Sequence, residues 1–164
     1  MTYRICVVCT GNICRSPMLE FLLREAFEDA GLSDRVAVDS AGVSAEEAGN
    51  RADSRTLAAL RRHGHTDHGG QAHRARQIRP AWLADRDLIL AADHGHLNRL
   101  RRLAGGEPTD HIRLIRSFDP DAVARGNLDV DDPWYGRDVD FDRTYAELTA
   151  AVPGIVDHVR AALP

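Results

Sequence analysis

The stretch VVCTGNICRSPMLEFL, Val7 to Leu22, decides the architecture. An apolar, β-branched run from Tyr3 to Val8 reads as a strand buried on both faces, and it ends at Cys9. A loop holding one glycine, Gly11, and one asparagine, Asn12, then leads to Arg15. From Pro17 onward, apolar residues recur at Leu19, Leu22, Leu23, Ala26, Phe27 and Ala30, the spacing of one helix face. Ser16 reads as the N-cap, Pro17 as the first turn and Gly31 as the end. The segment is therefore strand, loop, helix, with a thiol and a guanidinium at the two ends of the break.

The same alternation continues along the chain. RVAVDS (35–40) predicts a second strand, and ADSRTLAALRRHG (52–64) a second helix starting near Asp53 or Ser54 and closing at Gly64. Residues 64–80 are polar and irregular. DLILAA (87–92) predicts a third strand, Asp93 to Leu103 a third helix closed by Gly105-Gly106, and HIRLI (111–115) a fourth strand. A long loop from Ser117 to Asp138 precedes a final helix from about Phe141 to Leu163, which Pro153 is expected to kink or divide. Strands alternating with helices predict an α/β single domain over residues 1–164, with a four-stranded parallel doubly wound sheet and helices on both faces. In such folds the ligand site lies beyond the carboxyl ends of the strands, where Cys9 sits.

Bulk properties narrow the chemistry. The chain has 164 residues, 43% hydrophobic and 28% charged, with a net charge of −4, which argues against nucleic acid as the partner. All 21 basic residues are arginine. The absence of lysine excludes a lysine-dependent phosphate loop and every Schiff-base mechanism. Cys6, Cys9 and Cys14 are odd in number and bunched, so they form no disulfide framework and point to a reducing, cytoplasmic setting. No signal-like leader or membrane-length apolar run is present, so a soluble protein without a membrane partner is expected. The histidines of HGHTDH (63–68) and HGH (94–96) match no metal-ligand template, and no metal or other cofactor is expected. Nothing specifies an oligomeric state.

At the first strand–helix break, unpaired backbone N–H groups and the helix dipole can cradle an oxyanion, and Arg15 can grip two of its oxygens. The same field favours the thiolate form of Cys9, to which Ser16 could donate a hydrogen bond. A thiolate facing a cradled tetrahedral anion suits attack on phosphorus.

The run Val8-Cys9-Thr10-Gly11-Asn12-Ile13-Cys14-Arg15-Ser16-Pro17 resembles the phosphate loop of the low-molecular-weight protein tyrosine phosphatases. DSAG (39–42), HRARQI (73–78), RSFDP (116–120) and DDPWYG (131–136) extend the resemblance over nearly the whole chain. It implies Cys9 as nucleophile through a phosphocysteine. Arg15 and the loop from Thr10 to Ser16 (Thr10, Gly11, Asn12, Ile13, Cys14, Ser16) would hold the phosphate oxygens. Asp132 before Pro133, rather than its neighbour Asp131, would be the general acid and then base. Asn12, supported by Ser40 and His73, would hold the loop's shape in an unusual backbone conformation, which asparagine tolerates. Gly136 would let the acid loop move, and Trp134 and Tyr135 would wall an aromatic substrate. Cys14 is either a passive loop residue or a reversible disulfide partner of Cys9.

The implied substrate is a phosphotyrosine protein or a small aryl phosphate. Alternatives on the same scaffold are a phosphoarginine phosphatase, an arsenate reductase and a non-catalytic phosphate-binding module. Two features depart from the family pattern. In VSAEEAGNRAD (43–53), Glu46 and Glu47 stand about where an aromatic wall residue is common, which should disfavour acidic phosphopeptides. Gly69 to Ala72 has the look of a small insertion before His73.

Overall fold

Alternate residues of the first strand face opposite sides, and both sides are apolar, so this strand must lie in the middle of the protein. In the computed structural model, which describes residues 1–66 and 69–164, it does. Strand β1 (Tyr3–Cys9) pairs in parallel with β2 (Val36–Gly42) on one side and β3 (Leu88–Ala91) on the other. Strand β4 (Ile112–Leu114) pairs in parallel with β3, giving the order β2-β1-β3-β4. Ile5 and Val7 enter one core with Met18, Leu19, Leu23, Phe141 and Ile155, while Cys6 and Val8 enter the other with Ile78, Leu83, Leu97 and Leu100.

Helices α1 (Arg15–Asp29), α2 (Ser54–Arg62) and α6 (Asp138–Ala162) build the first layer, and α3 (Pro80–Asp85) and α4 (His94–Leu103) the second. The chain leaves β1 toward β2 on one side and later returns to β3 on the other. The carboxyl ends of β1 and β3 thus form the switch point at which doubly wound sheets bind ligands.

Several boundaries differ from the sequence expectation. Helix α1 begins at Arg15, two residues early, so Ser16 is buried inside the first turn and is not the N-cap; its hydroxyl serves the loop instead. The stretch expected to be a long loop, Ser117 to Asp138, contains α5 (Pro120–Arg125), capped by Asp119 Oδ1 accepting from Asp121 N at 3.0 Å. It also contains a 3-10 turn over Pro133–Tyr135. The polar segment after residue 64 holds a 3-10 turn at Gly70–Ala72, the site of the suspected insertion. Asp67 and His68 of the histidine-rich stretch lie outside the described residues.

Helix α6 starts at Asp138, earlier than expected, and is not divided at Pro153. Pro153 is exposed, and the missing N–H costs the helix only the bond to the Thr149 carbonyl. The next residue, Gly154, packs against the Phe118 backbone so closely that a Cβ would collide with the Phe118 carbonyl oxygen. Gly154→Ala is expected to destabilise the protein by about 2 kcal/mol, the usual cost of overpacking. Urea unfolding of the variant at neutral pH measures it.

Candidate active site

Past Cys9 the chain leaves the sheet, and the carbonyls of Thr10, Asn12 and Ile13 bond to neither strand nor helix partners. Cys9 O accepts from Val43 N (3.0 Å), Thr10 O from Ser44 N (3.0 Å), Ile13 O from Asp53 N (2.8 Å) and Cys14 O from Met18 N (3.2 Å). Asn12 O accepts from His73 Nε2 at 2.8 Å. Meanwhile the amides of Gly11, Asn12, Ile13 and Cys14 donate to no protein acceptor among the described residues. The loop turns its donors inward and feeds directly into α1, whose first turn carries no acidic side chain. That is an oxyanion cradle.

Asn12 makes the reversal possible. With φ 61 it is the one non-glycine residue at positive φ among the described residues. Its Nδ2 donates to Ser16 Oγ and Ser40 Oγ, each at 2.8 Å, and its Oδ1 accepts from Arg76 N at 3.1 Å. Ser40 in turn donates to Glu20 Oε2 at 2.8 Å. Because Asn12 fills an acceptor site on Ser16, the Ser16 hydroxyl proton is available to Cys9 Sγ, 3.0 Å away. Backbone spacing supports the same arrangement. Gly42, paired opposite Cys9, has no room for a side chain, since a Cβ would lie 2.5 Å from Thr10 O.

Arg15 is buried, 2% exposed. Its Nη1 donates to Val130 O (2.8 Å) and Asp93 Oδ2 (3.0 Å). Its Nη2 faces Thr10 Oγ1 (3.4 Å) and Asp132 Oδ2 (3.6 Å). Burial works against the Asp93 charge, but the His96 amide, the His96 ring and Arg15 together hold its carboxyl below the usual range. Asp132 precedes Pro133, and its Oδ1 accepts from Trp134 N at 3.1 Å. Asp132 lines the pocket with Cys9, Arg15, Ile13 and Trp134, whereas Asp131 does not. Tyr135 and Trp134 form one exposed flank, and Glu46 and Glu47 the other.

Cys14 also lines the pocket, but its Sγ donates to Asp53 Oδ2 at 3.8 Å. Burial first, then the charges of Asp53, Cys9 and Asp132, push its thiol up, so it stays protonated near neutrality. No disulfide is present, and all three cysteines are free and buried.

Sequence reasoning missed Asp93, His96 and Glu20. His96, on α4, is 4% exposed and reaches Thr10 Oγ1 with Nε2 at 2.8 Å. The signal was available in the topology: DHGH follows the strand that neighbours β1 at the switch point, so its first turn must face the loop. Glu20 carried no signal beyond its place on a helix face that is otherwise apolar.

A buried arginine at the base of an amide cradle, with a thiol and a carboxylate beside it, defines an oxyanion-binding α/β protein. Comparison with known proteins narrows the class. The family model described as low molecular weight phosphotyrosine protein phosphatase matches residues 4–163. A low molecular weight protein-tyrosine-phosphatase of Streptomyces coelicolor is 49% identical over 164 residues, covering 98% of this chain and 95% of that protein. Low molecular weight protein-tyrosine phosphatase A of Mycobacterium tuberculosis is 43% identical, covering 93% and 88%. Among solved structures, YfkJ from Bacillus subtilis superposes with a TM-score of 0.88 at 29% identity, covering 100% and 98%. Vibrio vulnificus Wzb, solved in complex with benzylphosphonate, gives 0.80 at 25% identity, covering 96% and 99%. The chain belongs to the low molecular weight phosphotyrosine protein phosphatase family, whose members are cysteine-dependent.

Burial first, and then the Arg15 cation, push His96 down to about 4. The unfolded chain binds a proton at a histidine near pH 6.5, and the folded one does not until about pH 4, so stability falls as the pH drops through that window. Between pH 7 and pH 5 this amounts to about 2 kcal/mol. Urea unfolding should show that loss in the wild type and its absence in His96→Gln.

Proposed function

We propose that the protein is a phosphotyrosine-type phosphomonoester hydrolase working through a phosphocysteine on Cys9, and that residues 1–164 form one catalytic domain. The observation that carries this is the convergence of Cys9, Arg15, Asp132 and the loop residues Gly11, Ile13 and Cys14, whose amides have no protein acceptor among the described residues, on one pocket. In the first step the Cys9 thiolate attacks phosphorus. The P–S bond forms as the bond to the tyrosyl oxygen breaks, and Asp132 gives that oxygen its proton. Arg15 Nη2 and the loop amides stabilise the equatorial oxygens as their charge grows. In the second step Asp132, now a carboxylate, takes a proton from water as it attacks phosphorus, and the P–S bond breaks to release phosphate and the thiolate. Ser16, aligned by Asn12, donates to sulfur at both ends of the cycle. Ser40 and His73 act through Asn12. These roles use only groups of this chain.

Trp134 and Tyr135 meet edge to face, with ring centroids 4.8 Å apart, and offer an aromatic wall to an aryl group. The aromatic phosphonate bound by the Vibrio relative supports the same class of substrate. A cytoplasmic location agrees with three free cysteines, and among the described residues no helix is long and apolar enough to cross a membrane. The sequence carries no cysteine after Cys14, and Asp53 holds the Cys14 thiol, so arsenate reduction is not favoured.

Hydrolysis of p-nitrophenyl phosphate is expected, abolished by Cys9→Ser and reduced about 100-fold or more in kcat by Asp132→Asn. Full activity of Cys9→Ser would sink the mechanism. At the mouth, Glu47 is fixed by Asn50 Nδ2 at 2.6 Å, and neither Glu46 nor Glu47 has an ion-pair partner among the described residues. Phosphotyrosine peptides with flanking arginine should therefore exceed matched peptides with flanking glutamate in kcat/KM, by about three- to tenfold at low salt. Glu46→Lys/Glu47→Lys should reverse the order.

A further inference from the structure

Helix α4 brings one buried histidine to the phosphate loop, and the directions of its hydrogen bonds can be worked out. Arg15 has only donors, so Thr10 Oγ1 must accept from Nη2 at 3.4 Å. His96 Nδ1 is buried and lies 3.2 Å from Asp93 Oδ1, where a ring proton is attracted and a bare lone pair repelled, so the neutral ring carries its proton there although it makes no aligned hydrogen bond. Nε2 is then the unprotonated nitrogen and accepts the Thr10 hydroxyl proton at 2.8 Å. Asp93 Oδ1 accepts instead from the His96 backbone N at 3.0 Å, while its Oδ2 holds Arg15 Nη1. Arg15, Thr10, His96 and Asp93 thus form a closed ring that joins α1, the loop and the start of α4.

We propose that His96 is a positioning residue for phosphate binding: as a neutral imidazole it turns the Thr10 hydroxyl so that an oxygen lone pair faces Arg15 and holds the guanidinium plane toward the cradle. The proposal rests on the reading of Arg15 as the phosphate clamp. Two contacts already anchor Nη1 at Asp93 and Val130, so Thr10 governs the half of the guanidinium that is left for substrate. A proton on Nε2 would remove that acceptor. Thr10 would then accept from His96 with one lone pair, and its other lone pair and its proton would compete for the side facing Arg15, so the hydroxyl would no longer be held in one orientation. The charged groups around His96 are Arg15 from α1, Asp93 at the cap of α4, and Asp129 and Asp132 from the acid loop. Burial and Arg15 keep the ring neutral at working pH, in agreement with the direction deduced from the hydrogen bonds.

The test compares His96→Leu, His96→Gln, Thr10→Val and the Thr10→Val/His96→Leu double variant, with p-nitrophenyl phosphate as substrate and vanadate as inhibitor. His96→Leu should lower kcat/KM about tenfold and weaken vanadate by a similar factor, the scale of one charge-linked hydrogen bond. His96→Gln, whose side-chain oxygen can accept from Thr10, should recover most of it. Thr10→Val should match His96→Leu, and the double variant should be no worse than either. The ratio of His96→Gln to wild-type kcat/KM should also rise as the pH falls from 6 toward 4, since glutamine cannot take up the proton; a packing role leaves that ratio flat. Multiplicative losses in the double variant, or a flat ratio, overturn the proposal. If His96→Leu fails to fold, Thr10→Val and the His96→Gln pH ratio still decide it, because the first keeps the ring and the second replaces it with a polar side chain of similar size. Loss of turnover in the wild type itself would instead overturn the phosphatase reading.

Discussion

Three carbonyl groups that serve neither the sheet nor the helix hold this site together. Between the last ladder bond of β1, at Cys9, and the first helical bond of α1, at Cys14, the chain is neither strand nor helix, because Thr10, Asn12 and Ile13 each give their carbonyl to a donor outside the cradle. The donors come from β2's extension, from His73 and from the start of α2. Each is a backbone or ring group set by the fold. The inward direction of the amides is then a consequence of the outward direction of the carbonyls, and the positive φ of Asn12 is where the reversal is accommodated.

That geometry would be costly if its polar groups were left unpaired, since buried donors and acceptors without partners destabilise a fold. The chain answers with a directed series. Glu20, 5% exposed, can only accept, so Ser40 donates to it. Ser40 therefore accepts from Asn12, and Ser16, which also accepts from Asn12, has its proton free for Cys9. Arg24 at 2.7 Å balances Glu20 from the surface. A carboxylate on the far side of α1 thus fixes which way the hydroxyl beside sulfur points. The Arg15 ring does the same on the other side of the loop, with arginine as the fixed donor and histidine as the final acceptor.

Much of this could be read from residues in order. The alternation of apolar strands and amphipathic helices pointed to the parallel sheet, and the cysteine–arginine spacing at the first strand–helix break pointed to the pocket that Cys9, Arg15 and Asp132 line. Short elements were harder. Helix α5 is only six residues long and has too little periodicity to stand out, although Asp119-Pro120 at its start and Gly126 at its end are ordinary boundary signals. In sequence Ser16 reads as a cap because Pro17 looks like a first helical position; in the structure the helix starts back at Arg15, and the serine is left to face sulfur. Asp93 and His96 could not be placed by motif, since their partners Arg15 and Thr10 lie 78 and 86 residues away along the chain. Only the strand order puts the end of β3 beside the end of β1.

Gly42 has a wider meaning for how such a site can vary. Its missing side chain lets the edge of β2 lie directly on the loop backbone, with no adjustable layer between sheet and cradle. The floor of the pocket is therefore a rigid extension of the sheet, and it cannot be reshaped for a new ligand without disturbing the core. Diversity is confined to the parts that stand clear of it: the 45–50 loop with its two glutamates and the Trp134–Tyr135 turn. Members of a lineage built this way would share one way of holding phosphate and differ in what they allow to approach it.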